Sequence, residues 1–282
     1  MKSLFYIALI SLALIWAGSQ GSKIYVGVPI FAGCAALIFL AQWLAFIPAY
    51  LKQTEVFYDL TGSITYIAVV ISALVLSADD SIGSMLIAAC IIIWALRLGG
   101  FLFTRILQDG SDGRFTRIKP SPMRFFVTWN LQALWVLVTI GCALAALTSG
   151  AVNTISAWLI VGLLVWLIGF VIEVVADKQK RAFRDVYGSD RFVNVGLWQR
   201  SRHPNYFGEI LLWFGIAIMA VPALSGWRYL TLISPVFVYF LLTRISGIPL
   251  LERRADKRWG EDPAYQTYKS ETPVLLPRLT GH

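Results

Sequence analysis

Residues 177–209 gather basic and aromatic side chains able to bind an anion, in a chain that is otherwise largely apolar. Four charged residues recur there at helical spacing: Asp177, Lys180, Arg181 and Arg184. Positions three, four and seven apart share one face of a helix, where an arginine fork and a lysine ammonium can hold a multiply charged anion such as a phosphate. The alternative is a collar of basic side chains that reach from the end of a membrane helix to water.

A second polar group follows within the same segment: Arg202, His203, Pro204, Asn205 and Tyr206. Pro204 is suited to the first turn of the apolar helix that comes next, and the free N–H groups of that turn attract anions. Arg202 and His203 can neutralise a phosphate or a carboxylate. Asn205 offers both a hydrogen-bond donor and an acceptor, and Tyr206 can stack on a ring. The group is therefore a candidate anion and ring site.

Two charged side chains lie inside apolar runs, where ionisable residues are functional candidates because they are costly in lipid. Glu209 can bind a ribose hydroxyl or pair with Arg202. Arg97 is interpreted as reaching a phosphate or Glu209.

Composition indicates that the elements holding these residues are membrane helices. Hydrophobic residues make up 57% and charged residues 14% of the chain, against about 25% charged in soluble domains. A helix needs about 20 residues to cross the bilayer, and an open sheet would leave backbone groups unpaired. We therefore predict an all-α integral membrane protein, a bundle of seven or eight transmembrane helices forming one domain over residues 1–282. The candidate spans are Leu4–Ala17, Tyr25–Tyr50, Gly62–Ala78, Ile82–Phe103, Arg124–Thr148, Val152–Ala176, Tyr206–Leu224 and Tyr229–Leu250.

Charge orients this bundle. Three connections, residues 104–124, 177–205 and 251–282, together hold 18 Lys or Arg and 10 Asp or Glu, which accounts for the whole net charge of +8. Alternate connections of a helical bundle share a side, and basic connections favour the cytoplasm. We therefore expect the anion site and the C-terminal tail to face the cytoplasm. No metal-ligand spacing and no nucleic-acid-binding domain is predicted.

A carboxylate-rich group near a membrane edge is the candidate for proton transfer: Glu55, Tyr58 and Asp59. These side chains lie about one helical turn apart, where burial favours the protonated acid and allows it to donate a proton near neutral pH. The alternative is an interfacial belt in which the carboxylates and the phenol are solvated at the headgroups.

The order and spacing of three motifs over residues 173–277 resemble the C-terminal half of the membrane sterol reductase and steroid 5α-reductase superfamily, and most of all its uncharacterised bacterial branch. The motifs are DKQKRAFR at 177–184, GLWQRSRHPNYFGE at 196–209 and DKRWGEDPAYQTYKSETPVLLP at 256–277. Members of this superfamily are polytopic reductases that hold NADPH in this half and reduce a carbon–carbon double bond of a sterol or 3-oxo-steroid.

The resemblance implies roles for individual residues. Those implied to bind the dinucleotide are Asp177, Lys180, Arg184, Trp198, Arg202, His203, Asn205 and Tyr206, with Tyr265 and Tyr268 closing over it. Residues 1–150 are then the substrate side and residues 151–282 the cofactor-binding half. Steroid 5α-reductases carry an adjacent Gln-Glu pair whose Glu works with a Tyr on the substrate carbonyl, whereas here Thr54 separates Gln53 from Glu55.

A related group that shares the RHPxY turn is the isoprenylcysteine carboxyl methyltransferase-like family, which uses S-adenosylmethionine. Its members resemble one another in a Glu-Glu pair after the last span, whereas here Glu252 is followed by Arg253. NADPH carries a pyrophosphate and a 2′-phosphate, which need more cations than a sulfonium cofactor does. The surplus cations here are Lys180, Arg181, Arg184, Arg191 and Arg202. Both features favour the reductase.

The resulting hypothesis is an NADPH-dependent reductase of the bacterial inner membrane, with its cofactor site and C-terminus in the cytoplasm. A lipophilic enone or sterol-like substrate enters from the bilayer, and Glu55 or Tyr58 protonates or hydrogen-bonds its oxygen. No obligate protein partner is expected.

Overall fold

The structure is a computed structural model and describes residues 2–151, 154–188 and 190–278. Ten α-helices and one short hairpin occur in these residues. They are α1 (Lys2–Ser19), β1 (Ile24–Tyr25), β2 (Val28–Pro29), α2 (Ile30–Leu51), α3 (Tyr58–Ser77), α4 (Ile82–Asp109), α5 (Pro122–Leu147), α6 (Ala157–Tyr187), α7 (Pro204–Ala220), α8 (Ile233–Phe240), α9 (Ile248–Trp259) and α10 (Pro263–Glu271). Within these described ranges, eight helical segments are long and apolar enough to cross a membrane. The predicted class is confirmed: the chain is an all-α integral membrane protein.

The predicted start of the second span at Tyr25 was wrong, because a hairpin precedes the helix. Tyr25 pairs with Val28 across a two-residue turn, and α2 begins at Ile30. Both turn residues have positive φ, 48° at Val26 and 77° at Gly27. This is the backbone of a tight hairpin, which a helix cannot accommodate.

The predicted eighth span, Tyr229–Leu250, lies within the apolar segment Gly226–Trp259, which is long enough to cross a membrane but is not one regular α-helix. A 3-10 segment over Gly226–Leu232 leads into α8, a π-helical turn follows at Leu241–Ile245, and α9 starts afresh at Ile248. Pro249 lacks an N–H group, so it stands in a first helical turn but not in a helix interior. After the break at Ser246 and Gly247 the chain continues as two helices, α9 and α10, which carry side chains of the candidate site.

The chain divides into two compact units. The first unit comprises Met1–Ile160 and Ile216–Ser234, and the second comprises Val161–Gly215 and Pro235–His282. The assignment of the whole chain to one membrane domain stays a prediction.

Helix α5 is the centre of the first unit. Its side chains are almost all buried from Gln132 to Leu147, and α1, α2, α3 and α4 pack around it. The amide of Gln132 donates a hydrogen bond of 2.8 Å to the carbonyl of Tyr58. This bond holds the start of α3, where Tyr58 and Asp59 lie.

The second unit depends on close contact between α6 and α7. A Cβ atom added to Gly208 would lie 2.6 Å from the backbone nitrogen of Glu173 and from the carbonyl oxygen of Gly169. Small residues of this kind let two membrane helices touch through their backbones. The polar end of α6 is therefore held beside the first turn of α7, and Asn205 donates a hydrogen bond of 3.2 Å to Asp177.

Candidate functional site

A cavity of about 310 Å³ lies in the second unit, among the end of α6, residues 192–203, α9 and α10. We call it the basic cavity. Five Lys or Arg residues and five aromatic residues line it, with one carboxylate. The lining residues are Lys180, Arg184, Phe192, Val193, Trp198, Arg202, His203, Leu251, Glu252, Arg254, Ala255, Arg258, Trp259, Tyr265 and Tyr268. Such a lining suits a ligand that has both anionic groups and rings.

Lys180 and Trp198 form one wall of the basic cavity. The ammonium of Lys180 lies 4.9 Å from the centroid of the Trp198 ring, within cation–π distance. The indole N–H of Trp198 donates to the carbonyl of Ala176 at 3.0 Å, and the whole side chain is buried. Glycine is needed at position 196, because its φ is +59° and a Cβ there would lie 2.4 Å from the side-chain amide of Gln179 in α6. The tryptophan is thus a fixed platform for the lysine.

Glu252 connects α9 to Arg202 and His203 in the wall of the basic cavity. One carboxylate oxygen accepts from Nη1 of Arg202 at 2.7 Å, and the other lies 2.7 Å from Nε2 of His203. A carboxylate in an ion pair only accepts hydrogen bonds, so Nε2 of His203 carries the proton. The tautomer is therefore set by Glu252.

Two atoms of this group have no hydrogen-bond partner within the described residues although they are buried: Nε of Arg202 and Nδ1 of His203. The first is a donor, and in the assigned tautomer the second is an acceptor. Buried polar groups are rarely left without a partner in native proteins. Both atoms belong to residues of the cavity wall, and a bound molecule can satisfy them.

Burial lowers the pKa of His203 below its ordinary value; Lys180 and Arg202 lower it too, and together these outweigh the hydrogen bond to Glu252, which raises it. The unfolded chain therefore takes up a proton at His203 below a pH of about 6.5 while the folded protein does not. Protons bound only by the unfolded state make folding less favourable. We expect the stability supplied by neutral His203 to be complete above pH 6.5 and to fall, by up to about 1.4 kcal/mol per pH unit, down to its lower folded pKa.

The measurement is the unfolding midpoint in detergent between pH 7.5 and pH 5. The His203→Gln protein should show a shallower decline than the wild type below pH 6.5. The control is His282→Gln, which replaces the other histidine of the chain, outside the described residues. Equal slopes for His203→Gln and wild type would contradict the assignment.

Phe192, Tyr265 and Tyr268 form the aromatic side of the basic cavity. The ring centroid of Phe192 lies 5.4 Å from that of Tyr265 and 5.3 Å from that of Tyr268. The hydroxyl of Tyr268 donates to the carbonyl of Trp198 at 2.7 Å, so α10 is tied to the Trp198 wall. Burial raises the pKa of Tyr268, which keeps the phenol protonated. Both tyrosines stand in the wall of the cavity that the resemblance led us to expect them to close.

Seven of the predicted cofactor residues line the basic cavity: Lys180, Arg184, Trp198, Arg202, His203, Tyr265 and Tyr268.

Four other predicted residues of the second unit lie outside the lining set: Asp177, Asn205, Tyr206 and Glu209. Asp177 and Asn205 bond each other across α6 and α7, and the ring of Tyr206 stacks on His203 with centroids 5.8 Å apart. Glu209 is half-buried in α7. These positions support the wall, and their direct contact with a cofactor stays a prediction.

Arg97 lies in α4 of the first unit, with its guanidinium 5.9 Å from the centroid of the Phe101 ring. Its assignment to the cofactor stays a prediction.

The predicted proton-transfer residues lie in the first unit, and two of them, Glu55 and Tyr58, already bond to other protein groups. Glu55 is buried, accepts a hydrogen bond of 2.9 Å from the backbone N–H of Asp112, and forms an ion pair with Lys119. The alternative of a solvated interfacial carboxylate was therefore wrong for Glu55. Tyr58 donates its hydroxyl proton to the carbonyl of Thr128 at 3.0 Å.

Asp59 is half-buried at the start of α3, where Arg105 and Arg114 act on it electrostatically. Within the described part of the chain its carboxyl makes no side-chain hydrogen bond. A second cavity, of about 260 Å³ and mostly apolar, includes Thr54, the chain neighbour of Glu55, in its lining. It is lined by Ala45, Pro48, Ala49, Lys52, Thr54 and Phe57.

Sequence reasoning missed several residues of the basic cavity, all of them in or against the C-terminal helices. They are Glu252, Phe192, Arg254, Arg258 and Trp259. A signal was present in the spacing of the tail, because Leu251, Ala255 and Arg258 recur at intervals of four and three and thus share one helix face. Hydropathy alone describes residues 251–282 only as a polar tail.

The chain matches the profile of a family described as "Protein of unknown function (DUF1295)" over residues 45–272, most of its length. The chain belongs to the DUF1295 family. The matched region includes both Glu55 and the whole lining of the basic cavity.

This DUF1295 member is also similar in sequence to two curated proteins. The chain is 24% identical over 230 residues to the uncharacterized protein C594.04c of Schizosaccharomyces pombe, covering 70% of this chain and 64% of the relative. It is 29% identical over 117 residues to the steroid 5-alpha-reductase DET2 of Gossypium hirsutum, covering 41% of this chain and 40% of that protein. The chain thus spans less than two thirds of either relative. No solved structure matched it.

Proposed function

We propose that this DUF1295 protein is a membrane reductase that uses NADPH to reduce a carbon–carbon double bond in a lipophilic, steroid-like enone. The observation that carries the proposal is the basic cavity, in which five cations and five aromatic rings surround one carboxylate. The similarity to a steroid 5-alpha-reductase over part of the chain supports the reaction class.

The residues of the basic cavity fit a phosphorylated dinucleotide. Pyrophosphate and 2′-phosphate groups need arginine forks and lysine ammonium groups, and the rings of a dinucleotide need aromatic faces. The buried Nε of Arg202 and Nδ1 of His203, which lack partners within the described ranges, add one donor and one acceptor. A volume of about 310 Å³ is at the low end for ligand pockets, so the cavity holds part of such a molecule.

When bound, NADPH supplies the hydride, and the protein supplies binding, orientation and charge. Lys180 and Arg184, one turn apart on α6, would hold phosphate groups, together with Arg254 and Arg258 of α9. Glu252 positions Arg202 and His203 so that both present fixed atoms to the ligand. Trp198 and Tyr268 are tied to each other and provide an immobile ring surface.

The apolar cavity of the first unit is the proposed substrate side. Among the three predicted proton-transfer residues we favour Asp59 as the donor. Glu55 is held in an ion pair with Lys119, and the hydroxyl of Tyr58 already donates a hydrogen bond to a backbone carbonyl. Asp59 keeps a half-buried carboxyl at the first turn of α3. We further propose that the basic cavity and the C-terminus face the cytoplasm of a bacterial inner membrane.

A ligand screen on the full-length protein in detergent tests the proposal. A ligand that binds only the folded state raises the unfolding midpoint. We expect NADPH to raise it at lower concentrations than NADH, and S-adenosylmethionine to leave it unchanged. Stabilisation by S-adenosylmethionine alone would instead identify a methyltransferase.

Arg184→Ala should weaken NADPH binding about tenfold, because a hydrogen bond between charged groups contributes about 1.5 kcal/mol or more. The loss should be larger for NADPH than for NADH if Arg184 contacts the 2′-phosphate. Arg181→Ala is the matched control, since Arg181 is exposed on the same helix and outside the lining set. Equal losses for both dinucleotides would assign Arg184 to the shared pyrophosphate.

A further inference from the structure

Arg228 is a buried cation of the first unit that has no counter-charge among the residues the structure describes. Its side chain is 7% exposed and lies in the 3-10 segment Gly226–Leu232. Nη2 donates a hydrogen bond of 2.9 Å to the hydroxyl of Ser225, but Nε and Nη1 are buried with no partner in the described part of the chain. No carboxylate there lies within ion-pair distance. A buried charge needs a partner, because its desolvation is otherwise uncompensated.

The guanidinium of Arg228 lies against the backbone of the link between α1 and β1. A Cβ atom added at Gly21 would be 3.6 Å from the central carbon of the guanidinium, and Gly21 itself has a φ of +73°. Glycine suits this position because of its left-handed backbone, and a Cβ there would make only ordinary van der Waals contact with the guanidinium. The buried guanidinium therefore packs against this link.

Exposed aromatic side chains mark this end of the first unit as a membrane–water boundary. Trp16, near the end of the membrane helix α1, packs on Trp227 with ring centroids 5.2 Å apart. Both tryptophans and Tyr25 of the hairpin are more than half exposed, and Tyr229 is half exposed. Tryptophan and tyrosine concentrate where a membrane protein passes through the headgroup layer. Arg228 sits between Trp227 and Tyr229 in the chain, within this belt.

We propose that Arg228 binds the phosphate of a membrane phospholipid. The planar guanidinium suits a phosphate, and two nitrogens remain for it. A lipid explains more than a free anion does, because apolar side chains of the same 3-10 segment and of the hairpin that follows Gly21 are exposed, where acyl chains can cover them. Leu230 is 51% and Val26 of the hairpin 85% exposed. One lipid molecule would then pair with the arginine through its phosphate and cover the apolar side chains with its acyl chains. This site lies outside the proposed reductase chemistry.

The test compares wild type and Arg228→Met, each as the full chain in a neutral maltoside detergent free of phosphate. Three additions are made at matched ionic strength: a phosphatidylglycerol, a diacylglycerol with the same acyl chains, and inorganic phosphate. Phosphatidylglycerol should raise the unfolding midpoint of the wild type by about 4 °C, and the other two additions should not. Arg228→Met should lose the rise. Without lipid it should be at least as stable as wild type, because it no longer buries an unpaired charge.

Two controls keep the result specific. Arg124→Met removes an exposed arginine at the start of α5 and should keep the full rise. Arg228→Gln is a second charge-free variant, used if the Met variant does not fold, and should also lose the rise. An equal rise in wild type and in the Arg228 variants overturns the proposal. A response to inorganic phosphate as large as that to the lipid also overturns it, by identifying a free anion as the ligand.

Discussion

Replacing Glu252 with Ala should lower the free energy of unfolding by about 3 kcal/mol, because it leaves two cationic or polar partners buried without their acceptor. The side chains of Arg202 and His203 are 12% and 7% exposed, so water cannot replace the lost carboxylate. The measurement is equilibrium unfolding in mixed detergent micelles at pH 7.5. Glu271→Ala is the matched control, since Glu271 is exposed at the end of α10 and should change stability by less than about 0.5 kcal/mol.

The same variant separates two views of the basic cavity. If the cavity binds a polyphosphate, saturating NADPH should restore part of the stability of Glu252→Ala, since a phosphate supplies the missing negative charge beside Arg202. NADPH should then raise the midpoint of the variant as well as that of wild type. A deficit that NADPH leaves untouched would contradict a phosphate site at Arg202.

Replacing Gly208 with Ala should be about as damaging, with an expected loss of about 3 kcal/mol. The new methyl would lie 2.6 Å from backbone atoms of Glu173 and Gly169, and backbone can yield only if the two helices separate. Separation would also lengthen the 3.2 Å hydrogen bond between Asp177 and Asn205 and shift Lys180 and Arg184 relative to Arg202. Weaker ligand binding should therefore accompany the loss of stability.

The control for Gly208→Ala is Gly100→Ala in α4, where an added Cβ meets nothing within 4 Å. Alanine favours the helix over glycine, so this variant should be neutral or slightly more stable. Both variants are measured by the same detergent unfolding assay. Similar stabilities of the two variants would show that α6 and α7 are not held in backbone contact.

Some parts of the candidate site followed directly from local sequence. The helical spacing of Lys180 and Arg184, and the proline that opens α7, depend on neighbouring residues alone, and periodicity reports them well. The hairpin at Tyr25–Val28 was missed for a local reason too, because an apolar run conceals a turn whose signal is a single glycine. The break in the eighth span followed from the Gly247 and Pro249 positions, which hydropathy averaging does not register.

Ion pairs between residues far apart in the chain could not be predicted from the sequence. Glu252 is 50 positions from Arg202, and Lys119 is 64 positions from Glu55. The sequence shows that such groups exist but not which carboxylate meets which cation, because many pairings satisfy the same composition. Glu55 appeared as a free acid near the membrane edge and is in fact the partner of a lysine from another loop.

By itself, the sequence determined the membrane class, a bundle of seven or eight spans and the cationic character of residues 177–209, because hydropathy and charge act along the chain. Only the tertiary structure decided how residues 177–209 are completed. It brings α9 and α10 against them, closes a cavity with Glu252 and Tyr268, and leaves Asp177 and Glu209 outside its lining. The physical reason is that a buried charge is stabilised by whichever opposite charge the fold brings within hydrogen-bond distance, and that distance is a property of packing.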